Sequence, residues 1–375
     1  MKVAFRADAS TRIGTGHIMR CLSLADQLAA RGARCLFVCR AHEGHLLDLI
    51  VQRGHEVRSL PGAPATDSPS NASSGLTHAD WLGTDWRTDA GQTHAVLAEF
   101  RPDWLVIDHY AIDSRWEDMQ RDVCARMLAI DDLADRQHNT ELLVDPSWYA
   151  PKSAAARYVN RVGTDCECLL GPKYALLKPA FANLAELMPP RDGLVRRLFV
   201  FMGGADADNE TAKVLRALMR EDLQSLVVDV VIGRGHPDIA GVTKLVEARP
   251  GTRLHIALPS LAGLMARADM AIGGGGGAGA ERLCMGLPSL VISLAENQVG
   301  MNRAMQDAGY VKYLGESRHV NISQIADGVV EMMSDPSALV RMSRMGQEIL
   351  PGRGSEIVAA RLFDGTGSRK ENVRS

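Results

Sequence analysis

The chain has 375 residues and a net charge of −3; 46% are hydrophobic and 23% charged, the balance of a soluble protein long enough for two α/β domains. That charge gives no electrostatic footprint for nucleic acid or an anionic membrane, and 5% aromatic residues are too few to build stacking platforms for single strands. No apolar run reaches membrane-spanning length, no basic and apolar leader opens the chain, and seven scattered cysteines suit reduced thiols, so a cytoplasmic protein is expected.

The first strand is expected at Val3–Arg6. It runs into Ile13-Gly14-Thr15-Gly16-His17, and a helical pattern follows over His17–Arg31. Gly14 and Gly16 allow a tight turn and a close ligand approach. His17 then puts an imidazole where a general base is needed. Further short apolar strands are expected at Cys35–Cys39, Glu56–Ser59, Trp104–Asp108, Met127–Asp131 and Glu141–Val144. Helical patterns lie between them, at His45–Gly54 and Thr93–Phe100 for example, which predicts a parallel sheet covered on both faces. Pro61–Leu76 is rich in Pro, Ala, Ser and Gly and predicts a mobile loop. His78-Ala-Asp-Trp-Leu after it is apolar enough to dock again. Cys166-x-Cys168 has no second Cys or His pair at ligand spacing. It predicts strand-edge residues, and neither a metal nor a cofactor is expected.

A helical pattern over Tyr174–Leu187 stops at Met188-Pro-Pro-Arg-Asp-Gly193, which predicts a linker. The same grammar then restarts. Strands are expected at Arg197–Met202, Leu226–Ile232, Arg253–Ile256, Met270–Ile272 and Ser289–Leu294. Helices are expected at Asn209–Arg220, Leu261–Arg267, Gly279–Met285, Asn297–Gly309 and Ile322–Met333. The fold class is therefore α/β, with two tandem Rossmann-like doubly wound domains facing a central cleft. The N-terminal domain is residues 1–187, the linker 188–193, the C-terminal domain 194–365, and 366–375 a disordered tail. Nothing demands an oligomer, so a monomer suffices.

Chemistry concentrates at the expected strand ends. Gly273–Gly277 with Ala278, Gly279, Ala280 and Glu281 joins a strand to a helix. Backbone N–H groups of Gly275, Gly276, Gly277 and Ala278 suit a diphosphate, and Glu281 suits both hydroxyls of a ribose. The competing reading is a flexible loop before a helix whose first-turn Glu suits the dipole. The spacing is neither a dinucleotide fingerprint nor a P-loop. Gly203-Gly204 end another strand. Glu296-Asn297-Gln298 follows a third; these amides suit sugar hydroxyls or N-acetyl groups, or Asn297 simply caps a helix. Asp108-His109-Tyr110 and Asp131-Asp132 end strands of the first domain, and all five side chains are expected over the rim that carries His17. A buried Asp there would fix the His17 tautomer. Arg136 and His138 lie on the next loop. His42, His45, His55 and His255 read as satisfied structural residues.

Ile13-Gly-Thr-Gly-His17-x-x-Arg20, Asp108-His-Tyr110, Ile130-Asp-Asp132, Gly171-Pro-x-Tyr174-Ala-Leu-Leu177, Met202-Gly-Gly204 and Glu296-Asn-Gln298 together resemble the UDP-2,4-diacetamido-2,4,6-trideoxy-β-L-altropyranose hydrolases of pseudaminic acid biosynthesis, which supplies flagellin glycosylation. The resemblance runs from Met1 to about Phe363. That family looks like the inverting two-Rossmann (GT-B) glycosyltransferases, notably the N-acetylglucosaminyltransferase that makes lipid II. The resemblance implies UDP on the C-terminal domain, with Glu281 on the ribose, the glycine loop by the diphosphate, and Gly203 and Gly204 also on UDP. It implies a sugar held by Gly14, Gly16, Asp108, Tyr110, Asn297 and Gln298. His17 would activate a water that displaces UDP with inversion at C1. The partners are then a UDP-sugar and water. The chain departs from the family where Gly277, Ala278 and Gly279 replace hydroxyl residues, leaving the diphosphate to backbone N–H groups, and where Lys178 replaces Arg. The alternative is an inverting transferase that uses a UDP-sugar, with His17 deprotonating an acceptor. Non-catalytic UDP-sugar sensing and NAD-dependent redox chemistry are more distant readings.

Overall fold

Seven short strands, nearly all apolar, build the first sheet: β1 (Lys2–Ala7), β2 (Arg34–Arg40), β3 (Glu56–Leu60), β4 (Trp104–Asp108), β5 (Met127–Ile130), β6 (Leu142–Asp145) and β7 (Glu167–Leu170). They lie in the order β3-β2-β1-β4-β5-β6-β7, with every neighbouring pair parallel. The computed structural model describes residues 1–62, 75–148 and 151–366. Most of the loop expected at Pro61–Leu76 falls outside them.

Side chains alternate across β1 and so feed two cores. Val3, Phe5 and Ala7 point into one with Ile18, Leu22, Ala25 and Leu28 of the helix Gly16–Ala30. Ala4 points into the other with Ala90 and Leu97 of the helix Trp86–Phe100. Arg6 also lies on that second side, buried. It is held by Asp89 at 3.2 and 2.7 Å and by Asp8 at 2.7 Å. Arg40 and the Trp116 indole complete the shell around Asp89 at 2.7 and 3.0 Å.

The second sheet contains β8 (Arg197–Phe201), β9 (Val227–Ile232), β10 (Thr252–Ile256), β11 (Met270–Gly274), β12 (Ser289–Ser293) and β13 (Lys312–Glu316). Its order is β10-β9-β8-β11-β12-β13, again all parallel. Both sheets reverse their strand order beside the first strand, at β1/β4 and at β8/β11. Open α/β sheets bind ligands outside the carboxyl ends of strands at that reversal. Strands β7 and β13, both at sheet edges, carry too weak a pattern to be read from the sequence.

The chain divides into Met1–Leu177 with the segment from Arg353 onward, and Lys178–Gly352. Two boundaries therefore differ from expectation. Pro179 breaks the pattern expected over Tyr174–Leu187. A 3-10 turn at Pro172–Tyr174 stays with the first unit, and the helix Pro179–Leu187 starts the second. The last helix, Gly354–Thr366, belongs to the first unit rather than the second. Val358, Ala359 and Leu362 are buried in the β1 core, and the Trp104 indole donates to the Leu362 carbonyl at 3.0 Å. Burying two large aliphatic side chains there is worth about 1.5–3 kcal/mol each. Beyond Thr366, the expected tail lies outside the described residues. No helix among the described residues is long and apolar enough to cross a membrane.

Candidate functional site

In the first unit the site begins where β1 ends. Gly14 has φ +79°, a left-handed backbone that favours glycine, and its N–H returns to the Ser10 carbonyl at 2.9 Å. The turn delivers Gly16 as the first residue of the helix Gly16–Ala30. Thr15 caps it without a side-chain bond, and the N–H groups of Gly16, His17 and Ile18 have no acceptor among the described residues. A Cβ built on Gly16 would meet no protein atom within 4 Å, so that glycine leaves open space rather than room for a neighbour.

His17 is buried in the first helical turn. Its Nδ1 lies 2.6 Å from Asp108 Oδ1, at the end of β4 and so directly across the strand-order reversal. Arg20, one turn on, grips the same carboxylate through Nε and Nη2, both at 2.6 Å, and Asp132 through Nη1 at 2.9 Å. Burial alone would raise the Asp108 pKa, but Arg20 and then His17 hold it far below the ordinary carboxylate range. An ionised Asp108 accepts and does not donate. The 2.6 Å hydrogen bond is therefore donated by the His17 Nδ1–H; Arg20 Nη2 lies 3.3 Å from the same nitrogen, and Nε2 has no partner among the described residues. This is the arrangement a general base requires.

Tyr110 and His17 pack edge to face, with ring centroids 4.6 Å apart. Burial and Asp132 push its phenol well above its ordinary value, so it stays a neutral donor. Trp81 stacks on Tyr110 at 5.6 Å, and His78 lies 4.4 Å from Trp81. Arg136 sits over the Tyr110 ring at 5.7 Å.

The five polar residues expected on one rim do not share it. Asp108, Tyr110 and Asp132 face His17, but His109 and Asp131 turn away. Four of the five lie just past the ends of β4 and β5, where the chain turns and no longer sends successive side chains over one rim. His109 is buried against Asp8 at 3.3 Å and accepts from the Ala111 N–H at 3.1 Å. Asp131 binds Arg136 at 2.9 Å and the Leu133 and Ala134 N–H groups at 3.1 Å. His138 sits between Glu117 at 2.7 Å and Asp131 at 3.5 Å. Burial would lower its pKa, but the two carboxylates raise it to about 9, a structural cation that braces the loop. His55 pairs with Asp26 and His255 with Asp229, at 2.9 and 2.8 Å, the structural roles expected of them.

In the second unit the corresponding ends are those of β8 and β11. Gly203 and Gly204 follow β8. Asp206 just beyond takes the Glu210 and Thr211 N–H groups at 2.9 and 3.0 Å, and lies 3.1 Å from His236 of the β9 loop. That clamp is not legible in the sequence, because its two residues are thirty apart and each looks ordinary alone. After β11 the glycines divide into two kinds. A Cβ on Gly275 would lie 1.9 Å from Asn302 Nδ2, so this glycine makes room for a neighbouring side chain. Asn302 is held in turn by donating to Ser293 at 2.8 Å. Gly277 is open, and a Cβ on Gly276 would only touch Gln298 Nε2, at 3.5 Å. Their N–H groups and that of Ala278 lack an acceptor among the described residues.

Glu281 lies one turn into the helix Ala278–Cys284; its carbonyl accepts the Met285 N–H at 3.0 Å, while its carboxyl makes no hydrogen bond among the described residues. Burial raises its pKa to about 7, against the opposing pull of Lys178 and Arg282. Beneath the loop, the buried Arg282 donates to the Gly274 carbonyl at 2.8 Å. Gln298 is committed to structure through its Oε1, which accepts the Leu294 N–H at 3.0 Å. Asn297 is exposed and caps neither adjoining helix; Ala295 and Gln298 take those positions.

No protein-family model matches the chain. It is 25% identical over 266 residues to the UDP-2,4-diacetamido-2,4,6-trideoxy-β-L-altropyranose hydrolase of Campylobacter jejuni, a match covering 71% of this chain and 81% of that protein. It is 29% identical over 195 residues to the spore coat polysaccharide biosynthesis protein SpsG of Bacillus subtilis. That match covers 52% of this chain and only 57% of SpsG, so it spans little more than half the relative's length. The crystal structure of MurG from Acinetobacter baumannii superposes with a TM-score of 0.65 at 10% identity, covering 97% of this chain and 99% of that one. The expected resemblance is thus borne out in sequence and in fold: this chain is similar to the diacetamido-sugar hydrolase and has the two-unit, GT-B-like α/β fold of MurG.

Proposed function

We propose that the chain acts on a UDP-sugar and hydrolyses it, releasing UDP from a 2,4-diacetamido-2,4,6-trideoxyhexose by attack of water at the anomeric carbon with inversion. The observation that carries this reading is the buried Asp108–His17 pair, with Nδ1 engaged at 2.6 Å and Nε2 left as the only basic position of the ring. His17 Nε2 takes a proton from water as the water oxygen bonds to C1. The C1–O bond to the diphosphate breaks, and UDP leaves with that electron pair. UDP is a stable leaving group, so a base and charge neutralisation suffice.

The roles of the second unit follow the same reading. Open N–H groups at Gly276, Gly277 and Ala278 take the diphosphate, with Gly203 and Gly204 beside them. Glu281 accepts from the ribose hydroxyls. Gly275 and Gln298 act by shaping the loop, and Asn297 is the amide free to meet the sugar. The similarity to the C. jejuni hydrolase supports this substrate class.

The test is incubation with a panel of UDP-diacetamidosugars, following UDP by coupled assay and free sugar by NMR. UDP release with no acceptor present is expected. Release only after an acceptor is added would replace hydrolysis with glycosyl transfer, the reading that the MurG-like fold leaves open.

A further inference from the structure

Trp81 is a large, partly exposed indole in the 3-10 turn Ala79–Leu82, beside a His17 whose polar contacts are Asp108 and Arg20. Its ring stacks on Tyr110 with an interplanar angle of 29°, lies 6.3 Å from His17, and touches His78 at 4.4 Å. His78 also reaches Tyr110 at 5.4 Å. Four rings, His17, Tyr110, Trp81 and His78, therefore form one continuous aromatic wall of which His17 is itself a part. Burial lowers the His78 pKa, which keeps that part of the wall uncharged near neutral pH. An exposed ion pair between Arg12 and Asp80 links this turn to the loop that precedes His17. Packing within the core explains Leu82 and Ala79 but not an indole and an imidazole left partly exposed.

We infer that Trp81 and His78 are specificity-determining residues that seat the apolar face of the substrate's hexose. Aromatic faces bind the C–H face of a pyranose and exclude water from it. A 6-deoxy sugar with two acetamido groups offers a methyl at C6 and two acetyl methyls. A fully hydroxylated hexose offers hydroxyls instead, and these would be left unpaired against the rings. The wall therefore selects for deoxy and N-acetylated sugars, while the nucleotide is recognised elsewhere. This inference rests on the UDP-sugar reading above.

The test compares wild type, Trp81→Ala and Trp81→Phe, each first matched for thermal melting. Affinity for UDP and for UDP-2,4-diacetamido-2,4,6-trideoxyhexose is measured by calorimetry, and turnover of that sugar and of UDP-glucose by UDP release. Trp81→Ala is expected to bind UDP as wild type does. It should bind the diacetamido sugar about ten- to a hundredfold more weakly and lose most of its preference over UDP-glucose. Trp81→Phe should keep most of both. Trp81→Ala with unchanged affinity and preference overturns the inference while leaving hydrolysis in place. Binding that depends on Trp81 but yields no UDP overturns hydrolysis and upholds the wall. Failure of wild type to bind either UDP-sugar overturns both.

Discussion

Replacing His17 with Asn is expected to lower kcat about a thousandfold while leaving UDP affinity within twofold of wild type. Asn is chosen because its amide N–H can still donate to Asp108, which accepts from His17 Nδ1 at 2.6 Å. The carboxylate, Arg20 and Asp132 then keep their partners, and only the basic lone pair is lost. General-base catalysis supplies about 10²–10⁴ in rate, which sets the size of the loss. Asp108→Asn should be at least as severe. An amide can donate to Nδ1 and so move the imidazole proton to Nε2, the position that must accept one; a tautomer error of this kind costs about 10⁴ elsewhere. It also leaves Arg20 with half its charge partners, so its melting temperature should fall, whereas that of His17→Asn should not. Single-turnover rates and thermal melting separate the two effects. A His17→Asn enzyme with near-wild-type turnover would remove His17 as the base.

Glu281→Gln is expected to move two properties in opposite directions. Its carboxyl is raised to about 7, chiefly by burial. A carboxyl whose folded pKa lies above its unfolded value contributes stability only while it is protonated. That contribution is complete below about pH 4.5 and is lost as pH rises through 7. At pH 8 the ionised Glu281 therefore strains the ligand-free protein, and Gln should stabilise it by about 1–3 kcal/mol. UDP affinity should fall about ten- to a hundredfold at the same pH, because a charged acceptor for the ribose hydroxyls is worth about 1.5–3 kcal/mol. Wild-type affinity should also rise with pH through 7, as the accepting carboxylate forms, and Gln should flatten that profile. Calorimetric titrations with UDP from pH 5.5 to 8.5 read both effects. A Glu281→Gln protein that binds UDP as tightly as wild type, with the same pH slope, would place the ribose elsewhere.

The parts of this site that are continuous in the chain were legible in the sequence. A strand, a glycine turn and a histidine at a helix start stand out because the backbone must turn there. The same holds for the loop before Glu281. The split within Asp108-His109-Tyr110 is not legible: past the end of β4 the chain turns, so His109 meets Asp8 at 3.3 Å while Tyr110 packs on His17 with ring centroids 4.6 Å apart. Other features depend on what the fold brings together. Trp81 looks like a core residue until Tyr110 and His17, far along the chain, are placed against it. The loop glycines look equivalent until Asn302 is found against Gly275 and nothing against Gly277. The return of Gly354–Thr366 to the first unit is of this kind too. Its apolar stripe predicts a buried helix but not which core receives it.

Turnover of a UDP-diacetamido-trideoxyhexose in ¹⁸O-labelled water, with no acceptor present, tests the central claim most directly. The account predicts one label per turnover, on the anomeric oxygen of the freed sugar, which first appears as the inverted anomer, and none in UDP. Label in the UDP phosphate would mean attack at phosphorus, and absence of turnover until an acceptor is supplied would mean transfer; either result would contradict it.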